Sequence, residues 1–261
     1  MRLAHINWVR AQEYFQENDL VILAIGSIEC HGRHNALGTD TLVPNDLLDR
    51  IEKKMPNVLI APTIPYGACD DLMDFSGTIS LGAELLKQVV TKVTDALYTH
   101  GARHFVLING HGGNTRVLEE VGVSLNRRGA WCALMNWWIM AGEINPAWKG
   151  GHGGGEETAA IMAIDPSYVD DSLIAEQMLV NDAGETFPTI GFDFVQYKGV
   201  RVELPRDVAR YAQNGWIGPD HPKDATIQWG KEMLQATADY MVDFIGEFQK
   251  LPLPTPKKGG N

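Results

Sequence analysis

Short apolar runs alternate with longer amphipathic segments along this chain, and this alternation is the feature that most constrains its fold. The apolar runs predict strands at Val21–Ile25, Val58–Ala61, Phe105–Asn109 and Cys132–Asn136. The amphipathic segments predict helices at Asp46–Lys54, Ala83–His100, Thr115–Arg128, Glu156–Ile164 and Ala225–Phe248. Because helices between strands cover the faces of a parallel sheet, we expect an α/β fold with a mainly parallel central sheet. Residues 177–224 show the weakest pattern.

The composition favours one domain. No linker rich in Ser, Gly or Pro interrupts the 261-residue chain before its last residues, so we expect a single domain over residues 1–250. The end of the chain alternates Pro with other residues and then becomes Lys- and Gly-rich, which predicts a flexible tail over residues 251–261.

Charge and hydropathy exclude several classes of partner. A net charge of -11 argues against a nucleic-acid partner, because phosphate contacts need clustered Lys and Arg. The sequence has no apolar run of 18 residues, so we expect no membrane association. The start of the chain lacks the apolar core of a signal peptide, and the three cysteines, Cys30, Cys69 and Cys132, are far apart. We therefore expect a cytoplasmic protein with unpaired, buried thiols.

Residues 29–40 follow the first predicted strand and hold several side chains that bind metals. If the strand extends to His31, Glu29 and His31 point to the same side, and Asp40 returns to the same edge one loop later. Carboxylate oxygen and imidazole nitrogen together suit Zn²⁺, Mn²⁺ or Fe²⁺. The alternative is that His31 and His34 only form hydrogen bonds within a turn, but the combination of three ligand types favours a metal.

Two glycine-rich loops carry further histidines. His111 follows the strand Phe105–Asn109 and opens a helix, so this loop is a candidate for a ligand or for anion binding at a helix N-terminus. His152 lies in a second loop before Glu156 and Glu157. Helix capping is the simpler interpretation of Glu156, whereas Glu157 fits capping and an inward role as ligand or acid/base group equally well.

Three ordered motifs resemble the creatininase (creatinine amidohydrolase) family. They are Glu29-Cys30-His31-Gly32-Arg33-His34 with Gly38-Thr39-Asp40, then Asn109-Gly110-His111-Gly112-Gly113-Asn114, then His152 with Glu157-Thr158. The segments Gly77–Leu81, Gly101–Arg103 and Asn214–Gly218 are also similar to the family. The resemblance implies a three-layer α/β/α sandwich with a hydrolytic site that holds two divalent metal ions.

The resemblance also implies roles for individual residues. Glu29 would bind one ion and His31 the other, Asp40 would bridge them, and His111 would be a further ligand. In creatininases an acidic residue follows this last histidine by two positions, where this chain has Gly113. That departure leaves a coordination position open, which Glu157, water or substrate would fill.

The resemblance further implies residues for catalysis and for substrate binding. His152 matches a histidine that shuttles a proton, and Glu157 is a second catalytic candidate. The candidate substrate contacts are Trp138, Trp148, His34, Asn114 and Asp70. Trp138 and Trp148 match tryptophans that enclose creatinine, whereas the run around Asp70 is equally consistent with an acidic, solvated loop.

Together these features predict a metal-dependent hydrolase with two Zn, Mn or Fe ions per chain. It would cleave an amide or cyclic amide C–N bond in a small polar molecule and form a homo-oligomer such as a hexamer. Gly113 and the short segment between the two tryptophans argue against creatinine itself. The alternatives are creatininase activity, opening of a keto-inositol ring at a C–C bond, a non-catalytic metal-binding protein, and a phosphate-binding transferase that uses residues 109–114.

Overall fold

The fold is built on a sheet of four parallel strands. The computed structural model describes residues 1–257. The strands are β1 (Leu20–Ile25), β2 (Leu59–Ile60), β3 (His104–Asn109) and β4 (Trp131–Asn136), and they pair in the order β2-β1-β3-β4. The four predicted strands are present, although β2 forms only two residues of regular pairing. The predicted α/β class with a mainly parallel sheet is confirmed.

Helices cover both faces of this sheet. They are α1 (Trp8–Glu17), α2 (Thr39–Lys54), α3 (Gly82–His100), α4 (Thr115–Arg127), α5 (Trp137–Ile144), α6 (Gly155–Ile164), α7 (Val208–Tyr211) and α8 (Ile227–Phe248). In β1, Leu20, Ile22 and Ala24 join one apolar cluster with α2, α5, α6 and α8, whereas the alternate residues join a second cluster with α1, α3 and α4. Because successive strand side chains point to opposite faces, a fully apolar β1 fills the centre of a three-layer sandwich.

Four helices differ clearly from the sequence prediction, and one of them, α7, lies in the region of weakest pattern and was not predicted. Helix α2 begins at Thr39, seven residues before the predicted start at Asp46, and continues through Pro44. Pro44 weakens the local signal for an earlier start, because an interior proline removes a helical hydrogen bond. Helix α1 was not predicted because Tyr14 is its one buried residue, and α5 was not predicted because its eight mostly apolar residues follow β4 directly.

A small antiparallel sheet lies within the region of weakest pattern. It consists of β5 (Thr189–Gly191), β6 (Phe194–Tyr197) and β7 (Val200–Glu203). The β6–β7 connection has positive φ at Lys198 (48°) and Gly199 (81°), as two-residue hairpin turns require. This sheet brings Phe192, Asp193 and Glu203 to the cavity described below.

The described part of the predicted tail contacts the rest of the protein. Trp131 Nε1 donates a hydrogen bond to Pro252 O (2.9 Å), and Lys257 N donates to Arg127 O (2.9 Å). Residues 251–257 therefore lie against the ends of β4 and α4, while residues 258–261 fall outside the described part. The single domain over residues 1–250 stays a prediction. Within residues 1–257, no helix combines the length and apolar character that crossing a bilayer requires.

Candidate metal centre and active site

The candidate ligands gather beyond the carboxyl ends of the central strands. Strand β1 ends at Ile25, so Glu29 and His31 belong to the loop that follows it and not to an extension of the strand. The loop is nevertheless fixed, because Ser27 Oγ donates a hydrogen bond to Glu29 Oε2 (2.6 Å) and Ile28 bridges to Ile79. Glu29 and His31 are both fully buried. Open parallel sheets characteristically bind ligands at this edge.

Asp40 enters the site from the first turn of α2, where the helix dipole favours a negative charge. The chain packs very closely here. A Cβ atom at Gly110 would lie 1.8 Å from the Asp40 carbonyl oxygen, so only glycine lets the end of β3 approach α2 this closely. This contact places His111, one residue further along, beside the Asp40 carboxylate.

The two buried histidines are each oriented by a backbone carbonyl. His31 Nδ1 lies 3.1 Å from Glu29 O, and His111 Nε2 lies 2.9 Å from Ala68 O. A ring nitrogen that donates to a carbonyl leaves the other nitrogen directed at the carboxylates. His31 Nε2 is accordingly 3.0 Å from Asp40 Oδ1, and His111 Nδ1 is 3.0 Å from Glu29 Oε1 and 3.3 Å from Asp40 Oδ2.

These side chains form overlapping groups that are able to hold metal ions. Within each group the ligand atoms lie within 4.8 Å of one another, and the groups are Glu29–Asp40–His111, His31–Asp40–Glu157 and Glu29–His31–His152. Asp40 belongs to the first two groups, as a bridging ligand would. Glu29 Oε1 and Asp40 Oδ2 are buried, and although His111 Nδ1 lies 3.0 Å and 3.3 Å from them, neither contact within the described chain has the geometry of a hydrogen bond. Because such oxygens are costly to leave unpaired, the residues fit a bound cation.

Electrostatics of the metal-free site agree with this fit. Burial alone lowers the pKa of His31, but the Asp40 and Glu157 carboxylates more than offset it and raise that pKa to about 10. Burial alone raises the pKa of Asp40, but the two neighbouring histidines hold it well below its usual range. In the metal-free site, the protonated histidines therefore supply positive charge among the carboxylates.

Glu157 turns inward from the first turn of α6 and lines the same cavity as Gly113. Its Oε2 accepts a hydrogen bond from Gly153 N (2.6 Å) and lies 3.6 Å from His31 Nε2. Burial raises the pKa of Glu157 to about 7. At Gly113 a Cβ atom would lie 2.2 Å from Ala68 O and 2.5 Å from His111 Nε2, so no side chain fits there. Glu157, and no residue of the 109–114 loop, is the third member of the group that contains His31 and Asp40.

His152 closes the site from its glycine-rich loop. Its ring packs against that of His31, with centroids 4.6 Å apart, and its Nδ1 lies 3.8 Å from Glu29 Oε1. Burial, reinforced by the charge of His31, lowers the pKa of His152 to about 3. Its Nε2 has no hydrogen-bond partner within residues 1–257. A neutral imidazole with a free nitrogen is able to accept and pass on a proton.

A cavity of about 570 Å³ opens beside these residues. Trp138, one of the two predicted tryptophans, lines it together with His111, His152 and Glu157. Trp148 does not line this cavity and packs instead against the apolar cluster of α2, α6 and α8.

The structure does not bring the other three predicted substrate contacts to the cavity. His34 is buried with its Nε2 2.9 Å from Thr158 Oγ1, and Asn114 bridges Gly26 O and Ala68 N. Asp70 is exposed and lines a neighbouring cavity of about 740 Å³, while the next residue, Asp71, lines the site. The side chains of His34 and Asn114 already have hydrogen-bond partners within the protein. Asp70 and Asp71 are neighbours in one short 3₁₀ turn, and the register of this turn determines which of them lines the site.

Several lining residues escaped the sequence reasoning. Phe192, Asp193 and Glu203 reach the cavity from the small antiparallel sheet, and the Phe192 ring lies edge-on to His152 with centroids 5.5 Å apart. No motif marks them, because they lie in residues 177–224. Ser27 was also missed, although its position two residues before Glu29 is a usable signal for a side chain that orients a ligand.

Comparison with solved structures defines the class of fold. A crystal structure titled creatinine amidohydrolase (creatininase) superposes with a TM-score of 0.78 at 23% identity, covering 96% of this chain and 98% of that one. A structure titled creatininase Mn gives a TM-score of 0.77 at 22% identity, covering 96% and 99%. The fold is therefore that of the creatininases.

The sequence comparisons establish the family. The chain belongs to the creatininase family, whose model, described as creatinine amidohydrolase, matches residues 4–245. The creatinine amidohydrolase of Pseudomonas putida is 27% identical over 269 residues, covering 94% of this chain and 96% of that protein. The mycofactocin precursor peptide peptidase of Mycobacterium ulcerans is 32% identical over 157 residues, and this match spans only 60% of the mycobacterial protein.

Proposed function

We propose that this protein is a metal-dependent hydrolase that cleaves an amide or cyclic amide C–N bond in a small polar molecule. The observation that carries the proposal is the pair of ligand groups Glu29–Asp40–His111 and His31–Asp40–Glu157, which share Asp40 at the edge of an accessible cavity. Family relatives titled as an amidohydrolase and a peptidase both act on C–N bonds, which supports this class of reaction.

Two divalent ions, Zn, Mn or Fe, would be held by these two groups. When bound, such ions lower the pKa of a shared water and polarise the substrate carbonyl. His152 would accept the proton of the attacking water and pass it to the leaving nitrogen. Glu157 would bind one of the ions in place of the side chain that Gly113 lacks, and Phe192 and Trp138 line the cavity beside it.

Two observations weigh against other functions. Glu29 and Asp40 stand beside the 109–114 loop, and their negative charge opposes phosphate binding there. Trp148 lies outside the cavity, so a creatinine ring would not be enclosed by both predicted tryptophans. A substrate other than creatinine is therefore our choice, with opening of a keto-inositol ring as the second candidate. A homo-oligomer such as a hexamer, located in the cytoplasm, completes the proposal.

The test is a hydrolase screen of the purified protein loaded separately with Zn²⁺, Mn²⁺ or Fe²⁺. Creatinine, formamides, small cyclic amides and keto-inositols are compared, with release of amine and of acid measured separately. We expect amine release from an amide that stops when the metal is chelated. Ring opening of a keto-inositol without amine release would favour the C–C alternative, and no turnover with any loaded metal would contradict the proposal.

A further inference from the structure

The glycine-rich loop that carries His152 is held by a segment from much further along the chain, residues 214–220. Ile217 N donates a hydrogen bond to the His152 carbonyl oxygen (2.7 Å), and the two residues form an antiparallel bridge. At the end of the same segment, the Asp220 carbonyl oxygen accepts a hydrogen bond from Gly155 N (3.2 Å). The segment therefore supports the loop at its centre and also where it runs into α6.

The Asp220 carboxylate packs between the two ends of this loop, which spans residues 150–154. A Cβ atom at Gly150 would lie 2.4 Å from Asp220 Oδ2, and one at Gly154 would lie 2.4 Å from Asp220 Oδ1. Both ends therefore approach the carboxylate more closely than a residue with a side chain could without a shift. Asp220 Oδ2 also accepts a hydrogen bond from Glu156 N (2.7 Å). One carboxylate thus touches both ends of the loop and the first turn of α6.

Helix α6 depends on Asp220 because it has no capping side chain of its own. Its N-cap residue is Gly154, so the N–H groups of its first turn need acceptors from elsewhere. Asp220 supplies both, with its side chain for Glu156 N and with its carbonyl oxygen for Gly155 N. The helix dipole also favours a carboxylate at this end. Asp220 therefore fixes the point where the loop ends and α6 begins.

Within residues 1–257, no side chain fixes the His152 ring by a hydrogen bond. Its Nε2 has no partner, and its Nδ1 lies 3.8 Å from Glu29 Oε1, beyond hydrogen-bond distance. The ring packs only against the rings of His31 and Phe192, with centroids 4.6 Å and 5.5 Å away. Where the imidazole lies is therefore set by the backbone that carries it.

We propose that Asp220 is a positioning residue for His152. Its carboxylate holds the two ends of the loop against the start of α6, so that the imidazole is presented to the candidate metal ligands in one place. Asp220 does not line the cavity, so it acts through the loop and not on the substrate. The proposal rests on the proton-transfer role that the proposed function gives to His152. Proton transfer needs such fixed geometry, because a displacement of about 1 Å is enough to lower a rate ~10²-fold.

The first test needs no substrate. Crystal structures of the Zn²⁺-loaded wild type, Asp220→Ala and Asp220→Asn are compared for the position of the His152 ring relative to that of His31. We expect the ring to leave its place or to occupy several places in Asp220→Ala. In Asp220→Asn it should stay, because the amide oxygen still accepts from Glu156 N. A ring that keeps its place in Asp220→Ala would overturn the proposal.

A shorter side chain keeps this comparison possible if Asp220→Ala does not fold. Asp220→Ser retains a polar atom, but its hydroxyl ends one bond short of the carboxylate oxygens. We expect the same displacement of the His152 ring as in Asp220→Ala. Asp224→Ala, at an exposed aspartate close by in the sequence, is the matched control and should leave the ring in place.

Kinetics on the metal-loaded enzyme separates positioning from a purely structural role. On the amide that the hydrolase screen identifies, we expect kcat to fall ~10²-fold in Asp220→Ala, with KM and metal content unchanged. In a His152→Ala background the same substitution should cost little further, because the group that it positions is already absent. Equal losses in both backgrounds would mean that Asp220 only stabilises the fold. No turnover by the wild type would contradict the proposed function, while the crystal structures would still decide the role of Asp220.

Discussion

At the scale of single residues, Asp40 is the side chain that both candidate metal-binding groups have in common. Each of its carboxylate oxygens faces a different histidine, with Oδ1 3.0 Å from His31 Nε2 and Oδ2 3.3 Å from His111 Nδ1. One side chain therefore serves both groups that would hold an ion, and α2 fixes it at its first turn. The loss of this side chain should disturb both ions together.

We expect Asp40→Ala to abolish turnover and to remove most of the bound metal. Affinity should fall by more than about 100-fold, because even residues that only orient ligands contribute 10–100-fold. Metal content after dialysis, measured by elemental analysis, checks this. Asp49→Ala on the same helix is the control, since its side chain is 65% exposed. Two ions per chain retained in Asp40→Ala would refute the bridging role.

His152 differs from Asp40 because its proposed task is proton transfer. We expect His152→Ala to keep its metal and to lose about 10²–10⁴-fold in kcat, the usual contribution of a positioned acid or base. Steady-state kinetics with metal analysis on the same sample separates the two effects. His5→Ala, at an exposed histidine, should behave as wild type. Unchanged turnover in His152→Ala would mean that this histidine only packs against His31.

At the scale of elements, the loop between β3 and α4 shows how backbone packing excludes a metal-binding side chain at position 113. Gly112 and Gly113 are adjacent, but their surroundings are opposite. A Cβ atom at Gly112 meets nothing within 4 Å, whereas one at Gly113 meets Ala68 O and His111 Nε2. The same carbonyl orients His111. The absent acidic residue at position 113 is thus a consequence of how this loop packs.

We expect Gly113→Ala to lower stability by about 1–3 kcal/mol, the range for an overpacked site, and to weaken metal binding by displacing His111. Gly112→Ala is a matched control one residue away, for which we expect wild-type metal content. Thermal unfolding of both variants, with and without added Zn²⁺, measures the two effects. If both variants behave alike, the close packing at Gly113 does not position His111.

The elements also show which parts of the fold follow from the sequence. Apolar runs predicted the central strands, because a strand buried on both faces needs an unbroken apolar sequence. The start of α2 was placed too late, since Pro44 locally disfavours a helix that tertiary packing nevertheless stabilises. The small sheet was missed because its strands have three or four residues each and are largely exposed.

At the scale of the whole molecule, metal binding should be coupled to proton release. In the metal-free protein, carboxylates outweigh burial and raise the pKa of His31 to about 10, and they raise that of His111 as well. Both rings are therefore protonated near pH 7, and a metal must displace these protons to bind. Apparent metal affinity should rise with pH up to about 10.

Calorimetric titration with Zn²⁺ in two buffers of different ionisation enthalpy measures the protons released. We expect about one to two protons per chain near pH 7, and tighter binding at about pH 8 than at about pH 6. The same titration of Asp40→Ala provides a reference, since removing this carboxylate lowers the pKa of His31. An affinity that does not depend on pH would contradict the proton-loaded state of the metal-free site.

The sequence by itself determined the layered α/β architecture and the kinds of ligand that follow its strands. Those features are local, because apolar runs set strands and glycine-flanked histidines stand out within a few residues. Tertiary structure decided which side chains reach the cavity: Asp71 and not Asp70, Trp138 and not Trp148, and Phe192, Asp193 and Glu203 from the small sheet. The direction of a side chain depends on contacts with distant segments, as when Gly110 packs on α2 to set Asp40 beside His111. No local pattern encodes such contacts.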